Sequence, residues 1–166
     1  MGRTMRITAA AALMLALTAG VALAATLVGT NYAETIYGTS ASDNIDGKGG
    51  GDALYGYGSA DRIIGGSGDD LIRGGSGNDN PGFEVGPNAK GLYGGYGHDA
   101  VYGNGGSDLI VGGAGGDLMS GGPGNDQIGS PPDGVFDKIY CGDGSDFVEA
   151  AYGDYVAPDC EKVNRY

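Results

Sequence analysis

Acidic side chains recur at a fixed spacing along this chain of 166 residues. Glu34, Asp43, Asp52, Asp61, Asp70 and Asp79 stand nine apart, and Asp99, Asp108, Asp117 and Asp126 resume the same step. Two residues after almost every one comes an apolar side chain: Ile36, Ile45, Leu54, Ile63 and Ile72, then Val101, Ile110, Met119 and Ile128. Carboxylates present only oxygen, and an oxygen-only donor set suits Ca²⁺, a hard ion that takes roughly six to eight such ligands. Softer metals are poorly served by two cysteines and one histidine. Acid–base catalysis needs a carboxyl set apart from its neighbours, and the repeat accounts for most of those present. His98 occupies the variable fifth position of its block, where Ser107, Gly116 and Asn125 stand in others, so it reads as an exposed turn residue. Ser76 and Ser107 also fall in turns with nothing arranged to activate them, and no catalytic residue is assigned.

These carboxylates must be positioned by the glycines, 37 in all, which follow the same period. The blocks run GTNYAETIY from Gly29, GTSASDNID from Gly38, GKGGGDALY from Gly47, GYGSADRII from Gly56 and GGSGDDLIR from Gly65. GGSGNDNPG follows from Gly74, then GGYGHDAVY from Gly94, GNGGSDLIV from Gly103, GGAGGDLMS from Gly112 and GGPGNDQIG from Gly121. A glycine-rich half permits a sharp turn, and three residues with a central apolar one make a minimal strand pointing its middle side chain inward. Two blocks make one coil of 18 residues, with Ile36, Leu54 and Ile72 on one wall and Ile45 and Ile63 on the other. Coils stack at about 4.8 Å, and stacking supplies the core that no single coil can bury. The expected fold is all-β, a stack of coils built from nine-residue half-turns. Stacking also sets Asp52 beside Asp70, Asp43 beside Asp61 and Asp108 beside Asp126, a repulsive row unless cations lie along it.

Two stretches depart from the period. Asp79 and Asp99 are 20 apart, which a degenerate block with Lys90 in the acidic place and Leu92 in the apolar one would explain. That reading keeps block parity, gives thirteen blocks from Gly29 to about Glu149, and leaves a gap in the ion row at Lys90. Pro81 spoils the preceding apolar position, so residues 80–90 are expected to loop out. Asp126 and Asp137 are 11 apart, with Ser130-Pro131-Pro132-Asp133-Gly134 bulging between them, after which Asp137 with Ile139 and Asp146 with Val148 continue the series.

The pattern GGxGxDxUx resembles the nonapeptide of the RTX, or haemolysin-type calcium-binding, family, whose repeats stack into parallel β-helical rolls. The resemblance covers most of the chain after its first residues. It implies a right-handed parallel β-roll of nine-residue half-turns, with several Ca²⁺ ions held between coils by the repeat aspartate and neighbouring glycine carbonyls. By position the ligands are Asp43, Asp52, Asp61, Asp70, Asp79, Asp99, Asp108, Asp117 and Asp126, then Asp137 and Asp146. Glu34, longer and without a glycine pair before it, implies a capping coil with weak or absent ion binding. The segment YCGDGSDFVEAAYGDYVAPDCEKV resembles the closing segment of small secreted actinobacterial members.

Arg3 and Arg6 precede an apolar run from Ile7 to Ala25, and Ala22-Leu23-Ala24 offers a small-x-small site. Residues 1–24 therefore read as a secretory signal peptide, with the roll over 25–149 and a C-terminal cap over 150–166. No second apolar stretch is long enough to span a bilayer. Cleavage would leave 7 basic and 21 acidic residues, a formal charge of −14, which argues against nucleic acid and anionic membranes. In an exported chain the pair Cys141 and Cys160 favours a disulfide holding the cap, the alternative being two unpaired buried thiols. Tyr37, Tyr55, Tyr93, Tyr102 and Tyr140 each follow an apolar position and face outward; Tyr37, Tyr55 and Arg73 recur every 18 residues as one stripe. The expected function is a secreted, calcium-stabilised structural or binding module without catalysis. Its alternatives are an adhesin or carbohydrate-binding protein using the tyrosine face, for a surface polysaccharide or protein, and an accessory domain of a secreted hydrolase.

Overall fold

Every block folds as a turn followed by a strand, because its β-branched and aromatic residues cluster in the last three places and its glycines in the first six. The computed structural model describes residues 4–6, 23–79 and 90–166. Its strands are β1 (Thr4–Arg6), β2 (Thr26–Val28), β3 (Thr35–Tyr37), β4 (Asn44–Gly49), β5 (Ala53–Gly58), β6 (Arg62–Ser67), β7 (Leu71–Ser76) and β8 (Gly91–Tyr96). They continue as β9 (Ala100–Gly105), β10 (Leu109–Ala114), β11 (Leu118–Pro123), β12 (Gln127–Gly129), β13 (Lys138–Asp143), β14 (Phe147–Ala150), β15 (Tyr155–Val156) and β16 (Lys162–Arg165). Even-numbered strands, with β1, form a nine-stranded sheet in the order β1-β2-β4-β6-β8-β10-β12-β14-β16. Odd-numbered strands form a seven-stranded sheet, β15-β13-β11-β9-β7-β5-β3. All pairing is parallel, and the result is a β-solenoid of about seven turns, consistent with a right-handed roll. The expected leader lies outside the described residues except for Thr4–Arg6, Leu23 and Ala24.

Register follows the repeat: Ile45 pairs with Ile63 and Leu54 with Ile72, each 18 residues on. The core is two facing columns of single side chains. Ile45, Ile63, Leu92, Ile110 and Ile128 form one, Ile36, Leu54, Ile72, Val101 and Met119 the other, none more than 2 % exposed. Each such aliphatic side chain contributes about 1.5–3 kcal/mol when removed from water.

The structure corrects the reading of the first interruption. Ile63 on β6 pairs with Leu92 on β8, and Ile72 on β7 pairs with Val101 on β9, both 29 residues on. Asp79 and Asp99 therefore open consecutive half-turns, and no degenerate block stands between them. The eleven extra residues fall between Asp79 and Gly91, inside one half-turn, and Leu92 supplies the apolar rung that Pro81 cannot. Of this stretch only Lys90 is among the described residues; its Nζ donates to Asp43 O at 3.2 Å and takes no place in the acidic row. The second interruption behaves as expected, with Met119 paired to Ile139 and Ile128 to Val148, each 20 residues on.

Cys141 and Cys160 form a disulfide across 19 residues, tying β13 to the turn before β16. Closing a loop of that size contributes about 3 kcal/mol in the chain-entropy treatment. Cys160→Ser is expected to lower the unfolding free energy by about that amount, read by denaturant titration under oxidising and reducing conditions.

Deleting residues 80–90 would join Asp79 to Gly91 and restore an unbroken nine-residue period. The variant is expected to keep the full strand signal by circular dichroism and an undiminished denaturation midpoint, since shortening a loop lowers its closure entropy. A loss of about 2–5 kcal/mol, the size of a deleted core side chain, would show that this stretch carries a rung of its own.

Candidate metal centres

The sixth residue of each block lies where the turn enters the strand, and its side chain is turned inward beneath the next coil. Two parallel rows result. Asp43, Asp61, Asp79, Asp108, Asp126 and Asp146 form one, and Glu34, Asp52, Asp70, Asp99, Asp117, Asp137 and Asp154 the other. Within a row, each carboxylate after the first accepts through one oxygen the backbone N–H of the acid one coil earlier. Asp43 N–H donates to Asp61 Oδ1 at 2.8 Å, Asp61 N–H to Asp79 Oδ1 at 2.7 Å, and Asp79 N–H to Asp108 Oδ1 at 2.9 Å. The row therefore runs without a gap across the interruption, contrary to the expectation at Lys90, because Asp79 rather than Lys90 stands in it. The sequence pattern marks which acids are buried but not that half of each is spent on a backbone ladder, since nothing in a spacing separates Oδ1 from Oδ2.

The other oxygens are left over. Among the described residues, the Oδ2 atoms of Asp52, Asp61, Asp70, Asp99, Asp108, Asp117, Asp126 and Asp146 are buried and have no hydrogen-bond partner. Orphaned buried carboxylate oxygens are strongly unfavourable unless a proton or cation accompanies them. In the regular blocks they converge with main-chain oxygens above the first glycine. A Cβ added at Gly47 would lie 2.5 Å from Asp52 Oδ2 and 2.6 Å from Gly65 O. At Gly103 the corresponding oxygens are those of Asp108 and, at 2.6 Å, of Gly121. Any side chain there would fill a cradle lined by a carboxylate and a carbonyl, which is why the first place is glycine. Among the described residues no three His, Cys, Asp or Glu side chains form a metal cage, so a bound ion must take main-chain oxygens as well. That donor set, oxygen throughout and without nitrogen or sulfur, fits Ca²⁺.

The turn that shapes the cradle is a left-handed second residue. Gly66, Gly95, Gly113, Gly122 and Gly142 have φ between 101° and 125°, and Lys48, Tyr57 and Asn104 adopt the same turn at 80°, 79° and 73°. Non-glycine residues enter this region at a penalty of about 1 kcal/mol or more, so the conformation is held by its surroundings. His98 and Ser107 stand in outer turns, whereas Ser76, expected in a turn, ends β7. His98 Nδ1 accepts Gly116 N–H at 2.9 Å, Ser107 Oγ accepts Asn125 N–H at 3.2 Å, and Ser76 Oγ donates to Tyr57 O at 3.3 Å.

The chain matches the RTX calcium-binding nonapeptide repeat (4 copies) over residues 28–58, 46–80 and 93–128. It belongs to that family. Nine of the repeat aspartates of this RTX chain, Asp43 to Asp79 and Asp99 to Asp126, fall inside the matched stretches, whereas Asp137 and Asp146 lie beyond them. No curated protein matches the chain.

Burial raises these carboxyls. It lifts Asp61, Asp79, Asp99 and Asp126 from 3.8 to about 7, and Asp52, Asp108 and Asp117 to about 6. The donated backbone N–H opposes the shift, and for Asp61, Asp99 and Asp126 the neighbouring carboxylates of the row add to it. A raised carboxyl pKa means that the folded chain holds protons which the unfolded chain has released. Without metal, this contribution to stability is complete below about pH 3.8 and is lost as pH rises through 6 to 7. In EDTA the denaturation midpoint should therefore fall between pH 4 and pH 7. With saturating Ca²⁺ it should rise over the same range, because a liganding carboxylate must be deprotonated. A midpoint that rises with pH in EDTA would contradict the burial of these groups.

Proposed function

We propose that this RTX chain is a secreted, calcium-stabilised structural or binding module without catalysis, whose coils are tied together by ions along the two acidic rows. The observation that carries this is the set of eight buried carboxylate oxygens without partners, all but that of Asp146 beside a glycine cradle, in a family of calcium-binding repeats. Asp52, Asp61, Asp70, Asp79, Asp99, Asp108, Asp117, Asp126 and Asp146 would supply the acidic ligands, and the carbonyls at the first place of each block would complete the shell. Asp43 and Asp137, whose second oxygens meet hydroxyl groups, stand apart from this set. The bound ion supplies positive charge between coils; the chain itself supplies the register, the cradle and the exclusion of water. Since the unfolded chain brings no two of these carboxylates together, ion binding and folding are one equilibrium.

Residues 1–24 would be removed on export, leaving the roll over 25–149 and a cap over 150–166. The disulfide and the acidic composition suit an oxidising, calcium-rich medium outside the cell. A second reading, adhesion through the outer face of the seven-stranded sheet, is favoured by the stacked rings of Tyr37, Tyr55 and Tyr57. Their centroids lie 5.2 to 6.4 Å apart, and Tyr57 is 53 % exposed. It is compatible with the first, because the stripe depends on the same coil spacing.

Titrating the oxidised chain with Ca²⁺, followed by circular dichroism with EDTA and Mg²⁺ controls, is expected to give a cooperative gain of strand signal specific to Ca²⁺. The midpoint should fall near 10⁻⁴–10⁻³ M, on the order of other extracellular modules. Asp108→Asn is expected to shift that midpoint upward. A strand signal complete in EDTA and unmoved by Ca²⁺ would reduce the repeat to a packing device.

A further inference from the structure

Resting on the calcium reading of the rows, we propose that hydroxyl clamps bound the two ion rows at three of their four ends: Thr39 and Thr30 where the rows begin, and Ser130 where the row ending in Asp154 stops, while the row ending in Asp146 is left open. The argument begins with the second residue of the turn. Each of the eight acids with an orphaned Oδ2 belongs to a block whose second residue is left-handed: Lys48, Tyr57, Gly66, Gly95, Asn104, Gly113, Gly122 or Gly142. The first two blocks place threonine there, and neither Thr30 nor Thr39 takes a positive φ, a conformation that β-branched residues strongly resist.

The different turn redirects two donors. Thr39 N–H donates to Asp43 Oδ2 at 2.5 Å, and Thr39 Oγ1 lies 3.1 Å from the same oxygen. Thr30 N–H donates to Glu34 Oε2 at 2.7 Å, while Thr30 Oγ1 donates to Glu34 Oε1 at 2.7 Å. Both end carboxylates thereby obtain from their own block what the interior ones lack. At the far end the substitution is in the first place, where Ser130 replaces the glycine. Its hydroxyl lies between Asp137 Oδ2 and Asp154 Oδ2, 2.7 Å from the latter, and Ala151 N–H also donates to Asp154 Oδ2 at 2.8 Å. Ser130 is fully buried and its carbonyl accepts the Tyr166 hydroxyl at 2.7 Å, which fixes the clamp beneath that ring.

Thr30, Thr39 and Ser130 are thus positioning residues that set where ion binding begins and stops. The clamped ends keep their carboxylates satisfied when calcium is scarce, and the eight acids with an orphaned Oδ2, Asp146 among them, do not.

The test counts ions by native mass spectrometry on the full oxidised chain in Ca²⁺. Asp108→Asn is expected to lose at least one ion and Asp43→Asn none, while Thr39→Gly, which restores the glycine pair, gains one. Equal ion loss in Asp43→Asn and Asp108→Asn would overturn the clamps while leaving calcium binding intact. Should Asp43→Asn fail to fold, an unchanged ion count in Thr39→Gly would overturn them as well. No calcium uptake by the unaltered chain would overturn the calcium reading itself.

Discussion

The structure depends on stacking one carboxylate directly over the next at the spacing of β-strands, about 4.8 Å. That spacing is imposed by the backbone ladders of both sheets, and the charge cannot move away from it. One oxygen of each acid is absorbed by the ladder, as with Asp61 Oδ1 accepting Asp43 N–H. The second shares a cradle with the carbonyl of the following coil, as Asp52 Oδ2 and Gly65 O both line the space above the Gly47 Cα. In that position like charges and lone pairs face one another in a medium poor in water, where their repulsion is much larger than in bulk solvent. The hydrophobic columns hold the coils together and the acidic rows push them apart, so a cation changes the sign of the second contribution.

The glycines and the strained turns serve this arrangement. The first glycine of a block leaves room for oxygen atoms to converge, and the left-handed second residue keeps its own N–H from quenching them. Tyr57 and Lys48 accept an uncommon backbone conformation to preserve that turn, and Thr30 and Thr39 abandon it in the first two blocks of the roll.

Much of this was legible in the residue order, because a period of nine with one apolar place specifies both the strand and its inward face. The walls of Ile36, Leu54 and Ile72 and of Ile45 and Ile63, the pairing of Asp52 with Asp70, and the bulge after Ile128 all follow from it, whereas a degenerate block at Lys90 would put Val101 and Met119 on the wrong wall. The stretch between Asp79 and Asp99 did not, for an arithmetical reason. Twenty residues divide equally well into a block of nine plus eleven extra, or a degenerate block of eleven plus nine. Leu92 suits either, and only the pairing of Ile63 with Leu92 distinguishes them. The division of labour between the two oxygens of each carboxylate was equally hidden, since it arises from backbone direction. Threonine in the second place of the first two blocks was visible, but its meaning required the torsion angles.

The eleven residues between Asp79 and Gly91 enter and leave at neighbouring points of one half-turn, and the hydrogen bonds on either side close as though they were absent. Asp61 and Asp108 engage Asp79 from below and above at ordinary distances. A solenoid of this kind has joints at which its contour length can change while its pitch and its sequence of rungs stay the same. Such a joint decouples the length of an inserted segment from the alignment of the coils on either side of it.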